Sequence, residues 1–311
     1  MLLNIAVTFI TLISSSLTIL IAFTLFLILV IHLRQKHEVS VLLVANTYAA
    51  MIAYSVVILS ETIIVLKEDL YGTTDLTDQQ LIKCRFLGFL TYETFGCCYM
   101  TFVLQAFYRL TRVAFSFNSI CIIFQWMVHF LLLLPSYFWP GPLYTLYESD
   151  YYCGIRYEKI LGLSYTVLNI FVSPIILLTV IYARFLYFIR NNAPQLPQER
   201  QRRRAQRDLM ITRRILFTVI ALTLPGSLNI TFVIMTIIDV RFSGSFYMYR
   251  IQWMGPAVTL FILSIGIVFI NSQIKQILIK LKFCGNQVVP IETTRQELHQ
   301  PSVFLRTQIQ T

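Results

Sequence analysis

Charge is what this chain has least of. Only 13% of its 311 residues are Asp, Glu, Lys or Arg, against 57% hydrophobic, and the first 33 residues carry no charged side chain at all. A secretory signal peptide would want a positive start and a short apolar stretch. This opening run is too long and begins without charge, so it reads as a first membrane span that leaves almost no external amino terminus. The ten-residue alternation of a membrane strand barrel is also missing. The four histidines, His32, His37, His129 and His299, are scattered without metal-ligand spacing. No glycine loop suited to phosphate is present. No enzyme constellation, cofactor or metal is therefore expected. No clear internal repeat stands out, which argues against a transporter built from two related halves.

What the chain does have is long apolar runs. A bilayer core takes roughly 20 apolar residues per helix. Runs of that kind lie near 4–33, 41–66, 80–107, 120–139, 160–189, 209–238 and 250–270. The expected fold is an all-α membrane protein, a seven-transmembrane helix bundle over residues 1–285, followed by a flexible cytoplasmic tail at 286–311. Lys and Arg crowd the first, third and fifth connections, with Arg34, Lys36, Arg109, Arg112, Arg190, Arg203, Arg213 and Arg214 among them. Most acids, including Glu68, Asp69, Glu148, Asp150 and Asp239, fall on the other side. Basic loops mark the cytoplasmic face, so the amino terminus is expected outside and the carboxyl terminus inside. The net charge of +10 sits beside spans, where it sets topology and attracts anionic lipid. It is not read as a nucleic-acid interface.

Under this orientation Cys84 and Cys153 both face the oxidising side, where disulfides persist. A bridge between them would tie the second outer loop across the bundle mouth; two unpaired outer thiols are the alternative. Cys97, Cys98 and Cys121 read as small packing residues. Cys284 follows a basic amphipathic segment and is either a lipidation site (palmitoylation) or an idle thiol.

The third run holds the most informative spacing. Arg109 stands 25 residues after Cys84, within QAFYRLTRV. Trp126 lies in FQWMV, Pro174 in the fifth run with Tyr182 eight residues on, Pro225 in the sixth, and FINSQIK closes the seventh. In these marks the chain resembles the rhodopsin-like (class A) G-protein-coupled receptor family, as a divergent, orphan-type member. The resemblance covers roughly residues 15–285. It implies a short amphipathic eighth helix at about 272–283 on the membrane surface, with Cys284 as its lipidation site. It also implies coupling to a heterotrimeric G protein through Tyr108, Arg109, Arg112, Tyr182 and Arg213, and an activation hinge at Pro174 and Pro225. Arrestin-like proteins and the lipid bilayer are further expected partners, with the plasma membrane as location.

The chain also departs from the family. Met51 stands where a sodium-binding aspartate would align, Thr223 where a toggle tryptophan often stands, and Leu263-Ser264-Ile265-Gly266-Ile267 against Asn-Pro-x-x-Tyr. No sodium site is expected. Thr91 occupies the position where amine receptors carry an aspartate, which disfavours a biogenic amine, and the seventh run holds no lysine for retinal. Thr91, Tyr92, Phe95, Thr166, Asn229 and Trp253 align with pocket positions. Glu61 is an acid within an apolar run, where such groups are functional candidates; it either holds a cationic ligand group or pairs with an outer-loop base. Glu93 has facing a neighbouring helix as its alternative. The expected function is signal transduction: binding an extracellular small molecule or peptide and activating a G protein. A seven-span binding or decoy protein that does not signal is the alternative, and a transporter or channel a more distant one.

Overall fold

The computed structural model describes residues 2–36, 38–71, 78–111, 120–147, 151–192, 223–224, 227–228, 230–236, 238, 248–271 and 274–279. The chain is mostly helical: α1 (Leu2–Gln35), α2 (Val39–Tyr71), α3 (Asp78–Thr111), α4 (Ile120–Tyr137), α5 (Ile160–Val167), α6 (Ser173–Asn192) and α7 (Met248–Ile270). A two-stranded antiparallel hairpin, β1 (Tyr144–Tyr147) and β2 (Tyr152–Ile155), lies between α4 and α5.

Among the described residues six helices, not seven, are long and apolar enough to cross a membrane, with α5 and α6 counted as one. The chain is thus a multi-pass, helical membrane protein. Residues 230–236 are helical within the sixth apolar run, but most of 209–238 lies outside the described residues. Of the surface helix expected at 272–283, residues 274–279 are helical, with Ile274 and Ile277 buried and Lys275 exposed. At 1.5 Å per residue, helices of 33 or 34 residues run about 50 Å, more than the hydrocarbon thickness of about 30 Å. So α1 to α3 extend beyond the bilayer core or tilt within it.

Burial is inverted relative to a soluble protein. In α1 the small hydroxyl residues Thr8, Thr11, Ser14, Ser15 and Thr18 are buried, while Phe9, Ile13, Leu20 and Phe23 are exposed. Small residues let helix backbones approach closely. Thr8, Thr11, Ser15 and Thr18 each donate to the carbonyl four residues back, so packing leaves these four hydroxyls satisfied. The central post is α3: 78% of its spanning window is buried, against 22% in α1 and α4. It packs against α2, α4, α6 and both strands.

Polar bonds fix the helices to one another. Asn46 of α2 donates to Gln125 of α4 at 3.1 Å and accepts from the Trp126 indole at 3.0 Å. Tyr48 donates to the Ser264 carbonyl of α7 at 3.2 Å. Arg250, at the start of α7, grips Asp69 near the end of α2 with two bonds of 2.7 and 2.8 Å and donates to Thr8 of α1 at 3.1 Å. Met51 and Leu263 are fully buried in the apolar core.

Pro174 stands second in α6 and has no N–H to donate to the turn before it. The chain meets this with a wider, π-helical turn at Leu168–Val172, a common way to relieve such a defect. The helix is therefore irregular just before Pro174. Pro225 lies outside the described residues.

Candidate functional site

The site begins with the disulfide. Cys84 and Cys153 are bonded, with Cα atoms 5.2 Å apart, closing a separation of 69 residues. The bond fixes β2 against the start of α3. Gly88, one turn on, keeps that approach open: a Cβ there would lie 3.2 Å from the Cys153 carbonyl oxygen.

The hairpin works by its two-residue period. Register pairs Tyr144 with Ile155 and Leu146 with Cys153, which sets these four side chains on one face. That face meets α3, where Tyr144 packs on Phe89 and Tyr92 at 6.1 and 5.8 Å between ring centres. Tyr147, Tyr152 and Gly154 occupy the opposite face and meet α7. Tyr147 stacks on Tyr249 at 3.8 Å, and Tyr152 lies parallel to Trp253 at 6.3 Å. The hairpin is thus a wedge between α3 and α7. Tyr157 adds a second stack on Tyr249 at 5.1 Å and donates to Gln252 at 2.7 Å, while Gln252 donates to Tyr92 at 3.4 Å. Burial, then the neighbouring phenols, pushes the Tyr147 and Tyr157 hydroxyls well above the ordinary tyrosine range. They stay protonated and serve as neutral hydrogen-bonding groups.

Below the wedge lies a buried carboxylate. Glu61 of α2 is 2% exposed. Its Oε1 accepts from the Thr91 hydroxyl at 2.9 Å, and its Oε2 has no protein partner. The Tyr54 hydroxyl is also buried and without a partner. The Tyr54 ring rests on Phe95 at 4.9 Å, and Phe95 continues to Tyr99 and to Phe171 in the π-helical turn. The structure therefore brings together Glu61, Thr91, Tyr92, Phe95 and Trp253 from the sequence-derived pocket. Thr166 joins through Tyr144, whose hydroxyl it neighbours. Asn229 lies outside the described residues.

At the opposite end Tyr108 is half-buried and Tyr182 packs against the core. Arg109 lies within the last turns of α3, but its side chain, like Arg112, Arg213 and Cys284, is outside the described residues. A separate apolar groove of about 320 Å³ opens between α3, α4 and α6, with Met100, Phe107, Phe124 and Ile181 in its walls. It touches none of the pocket residues named above.

A comparison with protein-family models and with curated proteins finds no match to this chain. The residues and their geometry alone carry the functional reading.

Two features escaped the sequence. One is the hairpin, although YTLY and YCGI carry the aromatic and β-branched content of strands. The other is a polar cluster on the far side of α3. His129 of α4 meets Glu93 at 3.1 Å, and Cys97 reaches Glu93 at 3.4 Å and His129 at 3.7 Å. This corrects two readings: His129 is not isolated from other metal-ligating side chains, and Cys97 is not simply a packing residue. Glu93 does face a neighbouring helix. The four-residue step from Glu93 to Cys97 was legible; that α4 would bring His129 between them was not.

Proposed function

We propose that the chain is a seven-span receptor of the rhodopsin-like kind, with its disulfide end outside the cell, that binds a ligand beneath the hairpin and activates a heterotrimeric G protein at the opposite end. The observation that carries this reading is the free Oε2 of Glu61 in a bundle end that also buries a free Tyr54 hydroxyl, with a hairpin that one disulfide pins to α3. A buried carboxylate oxygen without a partner is costly in a bilayer. A ligand bearing a cationic or strongly donating group would satisfy it, and the surrounding rings would supply apolar contact, as ligand sites usually require. The ligand is a small molecule or a peptide end that displaces part of the aromatic wedge.

The helix directions support a seventh crossing. Contacts with the hairpin and with Asp69 place the starts of α5 and α7 at the disulfide end. Two consecutive spans that both run away from that end require the connecting chain to return across the bundle. The sixth apolar run, 209–238, is the stretch suited to it. Arg109, Arg112 and Arg213 then fall at the cytoplasmic end with Tyr108 and Tyr182, and Cys284 follows the surface helix there.

Met51 and Leu263 favour a second reading. They make the bundle centre apolar where the family is polar, and this suits a binding or decoy protein that does not signal. A ligand screen read through several G-protein reporters separates the two. A signalling receptor responds in at least one reporter, loses the response in Arg109→Ala, and loses potency about tenfold or more in Glu61→Gln, the effect of a charge-assisted hydrogen bond. Ligand binding with no response in any reporter supports the decoy.

A further inference from the structure

We propose that Glu93, Cys97 and His129 form a binding site for a tetrahedral divalent d-block cation of the zinc type, buried between α3 and α4. The site lies outside the proposed ligand site and does not depend on the receptor reading.

The donor set is the first argument. A carboxylate oxygen, a thiolate sulfur and an imidazole nitrogen are the three side-chain ligands zinc takes in proteins. Glu93 and Cys97 are one helical turn apart and share a face of α3; His129 comes from the facing helix.

Geometry is the second. Bond lengths of about 2.0 Å to oxygen and nitrogen and about 2.3 Å to sulfur place tetrahedral ligands about 3.3 Å (O–N) and about 3.5 Å (O–S and N–S) apart. The corresponding distances are 3.1, 3.4 and 3.7 Å, so the three atoms already stand near the corners of a tetrahedron. The remaining carboxylate oxygen, Glu93 Oε2, is buried and has no hydrogen-bond partner. It can join Oε1 in a bidentate grip, which fills a single tetrahedral corner and leaves the fourth to solvent.

The backbone adds a third. Gly96 lies directly under the imidazole: a Cβ there would come within 2.2 Å of both Cε1 and Nε2 of His129. Only a glycine lets α4 bring this ring so close to α3.

Charge balance is the fourth. Glu93, Cys97 and His129 are at most 6% exposed, and a net charge at this depth is unfavourable. A divalent cation held by a carboxylate, a thiolate and a neutral imidazole has no net charge. Cys97 gives up its proton to solvent on binding, as metal-ligating thiols do.

The test uses the full-length chain, purified in detergent and loaded with cobalt as a spectroscopic stand-in for zinc. One equivalent of cobalt with thiolate-to-metal charge-transfer absorption is expected. That absorption should vanish in Cys97→Ser. Gly96→Ala, which removes no donor, should weaken binding about 10–100-fold, the size of effect seen when ligand positioning is disturbed. Formation of the Cys84–Cys153 disulfide serves as the folding check. If the variants fail that check, the wild-type protein decides. With zinc bound, Cys97 resists a membrane-permeable alkylating agent and becomes labelled after chelation, whereas Cys98 labelling stays unchanged. Absence of bound cobalt in the folded wild type, or Cys97 labelling that ignores zinc, overturns the proposal.

Discussion

Glu61 and Glu93 are both acids buried against α3, yet the helix treats them in opposite ways. Thr91, the partner of Glu61, and Glu93 itself are two residues apart, or about 200° around the helix. One carboxylate therefore looks into the α2–α3 seam and the other into the α3–α4 seam. Glu61 has one hydroxyl bond, an empty second oxygen and a hairpin above it. Glu93 has an imidazole at 3.1 Å and a thiol at 3.4 Å, packed over a glycine. Each acid leaves its Oε2 without a partner, so the contrast lies in what surrounds it: aromatic rings and a hairpin suit reversible binding, whereas other metal-ligating atoms suit a permanent occupant. The difference lies in the surroundings, since the two side chains are chemically identical.

The comparison breaks most visibly at the disulfide. Cys153→Ser frees the wedge above Glu61 and leaves the Glu93 seam untouched. Loop-closure entropy over 69 residues puts the expected loss near 4 kcal/mol. It should be read as a lower thermal midpoint in detergent, with cobalt binding at Glu93 retained in the protein that remains folded. Glu93→Gln strikes the other seam. It replaces a charge-assisted contact and should destabilise by about 1.5–3 kcal/mol, again by thermal midpoint, without altering ligand binding at the hairpin end.

Two smaller effects sharpen the contrast. Tyr151, beside the hairpin turn, has a φ of 53°, a left-handed conformation that disfavours L side chains by about 1–2 kcal/mol. Tyr151→Gly should therefore stabilise by about 1 kcal/mol or less once the glycine's own entropy is counted, read as a higher thermal midpoint. Glu61→Gln should change stability least, by under about 1 kcal/mol in the absence of ligand, because the amide oxygen still accepts from Thr91. A large destabilisation in Glu61→Gln would mean that this carboxylate is a structural element and would remove the contrast.

How much of this was legible in the sequence follows from the range of the interactions. Span positions depend on local length and apolarity, so α1 to α6 and α7 fall within a few residues of the runs read from composition. The Cys84–Cys153 bond was legible because topology set both residues on one side. Glu61 with Thr91 was legible as two polar residues in apolar runs. Their bond was not, because it depends on the rotation of α2 against α3. The same limit hid the Glu93 cluster: His129 follows Cys97 by 32 residues, and only the close approach that Gly96 permits makes them neighbours. The π-helical turn before Pro174 was half legible, since the proline was plain but the way the chain would absorb it was not.

The grip of Arg250 on Asp69 joins partners 181 residues apart. A ribosome working at about 5–20 residues per second needs roughly 10–40 seconds to make that much chain. Through that interval α1 and α2 wait with an acid that has not met its base. This latch closes only when α7 arrives, so a chain truncated before α7 leaves the membrane machinery holding α1 and α2 without it.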